Sequence, residues 1–93
     1  MTEETQIKIG IKDYLKLRGV FVYHNLAGLG VYAGVPDLTA IWGGNVYQIE
    51  VKTEKGKQSP NQKQFQDDWE AQGGRYILGG LDEVMAVFEN ILR

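Results

Sequence analysis

The sequence predicts an α/β fold in which helices flank a mixed sheet, in the order α-β-β-β-α-β-α. Three observations carry this prediction: apolar residues at helical spacing at both ends of the chain, three β-rich segments separated by glycines, and a helix start signal between the third and fourth strands. The length of 93 residues is that of one small domain, which we expect to span residues 1–93.

The first third of the chain predicts one helix, one strand and a loop. Residues 3–18 carry apolar side chains at helical spacing, and Gly19 follows as a stop signal. Residues 20–25 (VFVYHN) predict the first strand. Residues 26–36 contain three glycines and predict a loop, which is unusually apolar.

The middle of the chain predicts two strands and a helix. Residues 37–42 and 46–53 read as strands joined by a tight turn at Gly43-Gly44-Asn45, and residues 54–59 as a polar, basic loop. Ser59-Pro60-Asn61-Gln62 then matches a capping box, with Ser at the N-cap, Pro at the first helical position and Gln at the third. This helix should end near Gln72, before two glycines.

The last segments complete the fold. Residues 75–78 predict a short strand, and because a helix joins it to the third strand, we expect a right-handed parallel crossover. Residues 82–92 predict a final helix whose apolar residues face inward: Val84, Val87, Phe88, Ile91 and Leu92.

Composition excludes several kinds of site. The chain has no cysteine and one histidine, so a metal would have to be held by oxygen, which favours Mg²⁺, Mn²⁺ or Ca²⁺. No apolar run approaches the roughly 20 residues that span a bilayer, and the N-terminus lacks the plan of a signal peptide. We therefore expect a cytoplasmic protein without a membrane partner.

The net charge of −2 disfavours nucleic-acid binding when taken alone. The charges are unevenly distributed, however, because residues 52–63 hold four lysines against the single acid Glu54. A basic loop on an acidic body is compatible with local phosphate contacts, and we predict DNA contacts at Lys55 and Lys57. Further predicted DNA contacts are Lys63, Asn25 and His24.

The third strand carries the candidate chemistry. Side chains alternate between the faces of a strand, so Glu50 and Lys52 share one face, while Tyr47, Ile49 and Val51 share the other. Two charges on one face of a central strand indicate pairing or function, although they could also lie on the solvated face of an edge strand. Two carboxylates meeting at a sheet edge form a hard-cation site, and a lysine beside them can orient or deprotonate the attacking water.

The hairpin register decides whether Asp37 can meet Glu50. If Trp42 pairs with Asn45, or Gly43 with Val46, Asp37 lies on the face of Glu50. If Trp42 pairs with Val46, a one-residue slip turns Asp37 away. The candidate metal site therefore requires one of the first two registers or a bulge.

These residues resemble a known nuclease signature. The run Gly34-Val35-Pro36-Asp37, followed by Ile49-Glu50-Val51-Lys52, resembles the PD-(D/E)xK motif, and the wider pattern resembles the virus-type replication-repair nuclease (VRR-NUC) family. The opening Glu4-Thr5-Gln6-Ile7 and the helix start Ser59-Pro60-x-Gln62 fit that family, and the likeness covers nearly the whole chain.

The resemblance implies a restriction-endonuclease-like αβββαβ core with a C-terminal helix, which agrees with the element order above. It also implies that Asp37, Glu50 and the Val51 carbonyl bind Mg²⁺ or Mn²⁺, with Glu4 acting directly or through water. Lys52 would be the catalytic lysine, and Gln62 would support the site. Two simpler alternatives remain, since Glu4 could be an acid favoured by the helix dipole and Gln62 could serve only the capping box.

The family also implies a substrate and an assembly. Its small members resemble Holliday-junction resolvases, so we expect a structure-selective endonuclease that cuts four-way DNA junctions as a homodimer, and a phage or mobile element as its source. The alternatives are a nuclease for flaps, nicks or duplex sites, and an inactive DNA-binding module. The apolar residues 26–33, with Trp42 and Tyr47, could supply the dimer interface, unless the loop folds onto its own core.

Overall fold

The computed structural model describes residues 1–26 and 28–92. Its elements are α1 (Glu3–Leu17), β1 (Phe21–His24), β2 (Leu38–Trp42), β3 (Asn45–Val51), α2 (Pro60–Ala71), β4 (Arg75–Gly79) and α3 (Leu81–Ile91). The predicted class and element order are confirmed, and every predicted boundary lies within two residues of the observed one. None of the helices in the described ranges is long and apolar enough to cross a membrane.

The four strands form one mixed sheet in the order β1-β2-β3-β4. The β1/β2 and β2/β3 pairs are antiparallel, whereas β3 and β4, joined by α2, are parallel as predicted. Trp42 pairs with Asn45 across the β2/β3 turn, which is the first of the registers compatible with a metal site. Gly43 and Gly44 have φ of 58° and 81°, the left-handed conformation that a two-residue hairpin turn needs.

One face of the sheet is apolar and packs against α1 and α3. Ile49 and Val51 of β3 are fully buried in one cluster with Ile11 and Leu15 of α1 and with Val84 and Phe88 of α3. The ring centroid of Tyr47 lies 4.8 Å from that of Phe88. Tyr47 is therefore a core residue, and the prediction that it adds surface to a dimer interface is wrong.

The end of α3 departs from the predicted core. Val84 and Phe88 are buried, and Val87 and Leu92 pack against them as predicted. Ile91 is 40% exposed, so the prediction that it faces inward is wrong. The packed stripe of this helix runs through Val84, Phe88 and Leu92 at four-residue spacing, and Ile91 lies to one side of it.

The opposite face of β3 is polar yet buried. Gln48 and Glu50 alternate with the apolar residues of that strand and are nevertheless withdrawn from solvent. Helix α2 lies near β4, where Trp69 Nε1 donates a hydrogen bond of 2.8 Å to the carbonyl oxygen of Arg75. Since β3 is central in the sheet, Glu50 does not lie on a solvated edge strand.

Candidate active site

Asp37 and Glu50 meet at the end of β3. The Asp37 amide donates to the carbonyl of Ile49 at 3.0 Å, which continues the β2/β3 ladder one residue beyond β2. Its Oδ2 accepts a hydrogen bond of 2.8 Å from the amide of Val51. Because Val51 follows Glu50 directly, this bond fixes the Asp37 carboxylate beside the Glu50 side chain. The two acids therefore share one end of the sheet, as the hairpin register requires.

Glu50 is held in an environment that disfavours its charge. The residue is 3% exposed. Burial, followed by the hydrogen bond to Asp37 and the charge of Asp37, raises the pKa of Glu50 to about 8, and nearby Lys52 opposes this shift. Two carboxylates packed together, with a nearby positive charge that only partly offsets their repulsion, are a common arrangement in active sites.

The same carboxylate carries an unused acceptor. Within the part of the chain that the structure describes, Glu50 Oε1 is the buried side-chain polar atom without a hydrogen-bond partner. A buried, unpartnered oxygen is costly unless a donor or a cation meets it. The Asp37 and Glu50 oxygens are the ligand type that Mg²⁺ and Mn²⁺ prefer, so the donor set fits such an ion.

The structure does not bring a third carboxylate into this pair. No cluster of three or more His, Cys, Asp or Glu side chains suited to a metal occurs within residues 1–26 and 28–92. Glu4 acts on Glu50 through its charge, as the weakest of the influences that shift the Glu50 pKa. A role for Glu4 through water, and the role of the Val51 carbonyl, stay predictions.

Two lysines flank the acid pair, and sequence reasoning identified one of them. Lys52 Nζ lies 4.0 Å from Glu50 Oε2, with its side chain 17% exposed. Lys8 of α1 was missed, although its Nζ lies 3.2 Å from Asp37 Oδ1. Its position four residues after Glu4 was the available signal, because residues at that spacing share a helix face. The distance to Asp37 depends on how α1 packs on the sheet, which spacing alone does not give.

Comparisons with known proteins place this site in a family context. A scan of family models finds no match, and no curated protein matches the chain. A solved structure named VRR_NUC domain is 26% identical, with a TM-score of 0.81 over 96% of this chain and 97% of its own. A second, named VRR_NUC domain protein, is 23% identical, with a TM-score of 0.77 over 95% and 86% of the two chains. The predicted VRR-NUC resemblance is confirmed.

A third solved structure shares the fold at lower similarity. It is Hjc of Archaeoglobus fulgidus, a Holliday junction resolvase from an archaeal hyperthermophile, and it is 18% identical to this chain. The TM-score is 0.61, over 80% of this chain and 64% of that one. The VRR_NUC-named structure at 26% identity supports a nuclease, and the resolvase shares the restriction-endonuclease-like fold.

The glycine of the VRR-NUC-like Gly34-Val35-Pro36-Asp37 run has a structural reason. Gly34 has a φ of 82°, and a Cβ there would collide with the backbone carbonyl of Asn61. The loop before Asp37 therefore lies directly against the first turn of α2, and any side chain at Gly34 would push the two apart.

Gln62 performs the capping role that the sequence predicted. Its side-chain Oε1 accepts a hydrogen bond from the backbone amide of Ser59 at 2.9 Å, and its backbone amide donates to Ser59 Oγ at 3.2 Å. This reciprocal pair confirms the capping box at the start of α2. The catalytic role that the family resemblance implies for Gln62 stays a prediction.

The predicted DNA contacts have different surroundings. Lys55 and Lys57 are exposed on the loop after β3. Lys63 is also exposed, but it forms an ion pair of 3.2 Å with Asp67. Burial, followed by the charges of Lys12 and Lys8, lowers the pKa of His24 below its usual 6.5, which favours a neutral ring at pH 7.

Asn25 is the predicted DNA contact whose surroundings differ most from that role. Its side chain is half-buried, and both its amide nitrogen and its carbonyl oxygen form hydrogen bonds inside the chain. The structure therefore places Asn25 within the protein's own polar network, and its predicted DNA contact stays a prediction.

Proposed function

We propose that the chain is a divalent-metal-dependent DNA endonuclease, with residues 1–93 acting as one VRR-NUC-type domain. The observation that carries this proposal is the acid pair at the end of β3, where Glu50 is buried beside Asp37 with its Oε1 unpartnered. Such a pair does not stabilise the fold, since burial and the charge of Asp37 both disfavour the ionised form of Glu50. Its presence next to Lys52 is best explained by binding of a cation and chemistry on a phosphate.

Each residue of the centre has a distinct task in this proposal. Asp37, Glu50 and the Val51 carbonyl would hold Mg²⁺ or Mn²⁺, which when bound polarises the scissile phosphate and acidifies a coordinated water. The ammonium of Lys52, close to Glu50, is placed to orient the attacking water and to offset negative charge that develops on the phosphate.

Supporting tasks fall to the residues around this centre. The half-buried Glu4 would act through a water molecule, since its charge reaches Glu50 without a cluster of three carboxylates. Gln62 would steady the turn of α2 that lies against the loop before Asp37.

The proposed substrate is branched DNA, in particular a four-way junction. The similarity in fold to the Archaeoglobus resolvase supports this choice. With a net charge of −2, phosphate contacts have to come from local basic surfaces. One is the loop with Lys55 and Lys57.

A second basic surface emerges from the structure. Lys8, Lys12 and Lys16 recur every four residues along α1, and all three act electrostatically on His24 at the end of β1. Lys8, the first lysine of this row, contacts Asp37, and Lys12 and Lys16 follow along the helix. A DNA strand whose scissile phosphate lies at Asp37 could therefore follow either the α1 row or the loop after β3.

We further propose a homodimer, because a four-way junction offers two symmetry-related strands and one domain has one site. The surface supports this with unusually exposed apolar residues. Leu29 is fully exposed, Leu26 is 81% exposed and Phe21 of β1 is 63% exposed. Tyr32 of the same loop packs edge-on against Phe65 of α2, so the loop folds partly onto its own chain. Ala27, within this apolar loop, lies outside the described residues.

The decisive test of substrate and cofactor is a cleavage assay on the whole chain. Labelled four-way junction, flap, nicked and linear duplex DNA are incubated with the protein in Mg²⁺, in Mn²⁺ and in EDTA. The proposal predicts metal-dependent cleavage with the junction cut fastest. Faster cleavage of flaps or plain duplex would assign the other nuclease specificity. Binding without cleavage in either metal would identify an inactive DNA-binding module.

A further inference from the structure

A closed ring of three hydrogen bonds, one buried and two partly buried, lies on the polar face of the sheet. Asn25 Nδ2 donates to Gln48 Oε1 at 2.9 Å, Gln48 Nε2 donates to Thr39 Oγ1 at 3.0 Å, and Thr39 Oγ1 donates to Asn25 Oδ1 at 2.6 Å. Thr39 and Gln48 are 4% and 7% exposed. Each residue is both donor and acceptor, so the ring satisfies and orients all three side chains.

The ring is connected to the segment that carries Asp37. Asn25 Nδ2 also donates to the carbonyl oxygen of Pro36 at 3.0 Å. Because a carbonyl can only accept, this bond requires the nitrogen of Asn25 to face Pro36 and thereby fixes the direction of the whole ring. The backbone amide of Asn25 donates in addition to the carbonyl of Asp37 at 2.9 Å. Asn25 thus donates hydrogen bonds to two consecutive backbone carbonyls, those of Pro36 and Asp37.

We propose that Asn25 is a positioning residue for Asp37, and that Thr39 and Gln48 lock its amide in the orientation this task needs. The proposal rests on the metal centre proposed above. Asp37 directly precedes β2, and backbone hydrogen bonds hold it on both sides. Its backbone is fixed by Ile49 on one side and by Asn25 on the other. These backbone bonds, and the bond from the Val51 amide to Asp37 Oδ2, do not depend on the Asn25 side chain. Loss of that side chain removes the bond that fixes the Pro36 carbonyl and so loosens the peptide that leads into Asp37.

A purely structural role of the ring predicts a different result. If the ring only stabilised the sheet, its loss would lower the resistance to unfolding and leave the folded site unchanged. A positioning role instead weakens metal binding in protein that is fully folded. Outer-shell partners of metal ligands commonly affect metal affinity or activity about 10–100-fold when removed.

The test is Mn²⁺ binding to the full chain, measured by the EPR signal of free Mn²⁺ at a temperature where each variant is folded. Asn25→Ala should raise the Mn²⁺ dissociation constant about 10–100-fold and shift the Mn²⁺ dependence of cleavage to the same extent. Asn45→Ala, the matched change at the exposed far end of β3, should bind Mn²⁺ like the wild type. Wild-type affinity in folded Asn25→Ala, with Asp37→Asn unable to bind, would overturn the proposal.

A second pair of variants decides the matter if Asn25→Ala does not fold. Thr39→Val removes the hydroxyl that holds Asn25 Oδ1 and keeps the shape, whereas Thr39→Ser keeps the hydroxyl. Weaker Mn²⁺ binding in Thr39→Val, restored in Thr39→Ser, supports positioning through the ring; equal affinities overturn it. Wild-type Mn²⁺ affinity in Asp37→Asn would instead refute the metal centre itself, and the proposal for Asn25 with it.

Discussion

Replacing Glu50 by glutamine should stabilise the metal-free protein at neutral and alkaline pH. The buried carboxylate loses its hydration and faces Asp37, so its ionised form is disfavoured in the folded state. Glutamine has nearly the same size and carries no charge. The exchange therefore removes the cost of ionisation while leaving the packing of β3 almost unchanged.

The magnitude follows from the pKa difference between the folded and unfolded states. The pKa of Glu50 rises from its ordinary 4.5 to about 8 on folding. Between these values the folded protein retains a proton that the unfolded chain releases, so the wild type loses stability as pH rises through this window. At about 1.4 kcal/mol per pKa unit, the loss between about pH 5 and about pH 8 is between about 3 and 4 kcal/mol.

The assay is urea unfolding of the wild type and Glu50→Gln in EDTA, at about pH 5 and about pH 8. The free energy of unfolding of the wild type should fall relative to the variant by about 3 to 4 kcal/mol over that range. Other titrating groups cancel because both proteins contain them. Glu54→Gln, at an exposed acid of the loop after β3, should run parallel to the wild type. If the free energy of unfolding of Glu50→Gln changed with pH in the same way as that of the wild type, the stated environment of Glu50 would be refuted.

Further predictions concern Glu4, the path of the DNA and the assembly. Glu4→Gln should slow cleavage less than loss of Asp37, because in the proposed centre Glu4 would reach the metal only through water; unchanged rates and metal affinity would make it an ordinary helix-start acid. Double replacement of Lys55 and Lys57 by alanine should lower the salt slope of DNA binding by about one to two units. The same measurement on Lys12→Ala/Lys16→Ala tests the α1 row as the path of the DNA, and an effect in this pair alone would move the DNA to α1. Mixed dimers with one inactive subunit should nick junctions without resolving them, whereas full resolution would show that the sites do not act as a pair.

Local sequence signals predicted the elements and their faces. The two glycines of the hairpin and the capping box at Ser59 are short-range patterns, and both are present in the structure. The alternation along β3 separated Glu50 from its apolar neighbours correctly. These predictions succeed because turn geometry, capping and strand periodicity depend on residues close together in the chain.

Contacts between distant elements were not predicted from the sequence. The ion pair between Lys8 and Asp37 and the network around Asn25 depend on how α1, β1 and the loop before β2 pack together. Tyr47, expected at a surface, fills the core beside Phe88 for the same reason. Spacing identifies which residues share a face, while the partner of that face is set by tertiary packing.

The most direct test of the central claim is single-turnover cleavage of a four-way junction by Asp37→Asn in saturating Mg²⁺ or Mn²⁺. Asp13→Asn, the same change at an exposed acid of α1, is the control. The proposed centre predicts that Asp37→Asn remains folded and loses at least about 10²-fold in rate, with Asp13→Asn at the wild-type rate. Near-normal cleavage by folded Asp37→Asn would contradict the account, because the phosphate would then be cut without the acid pair at the end of β3.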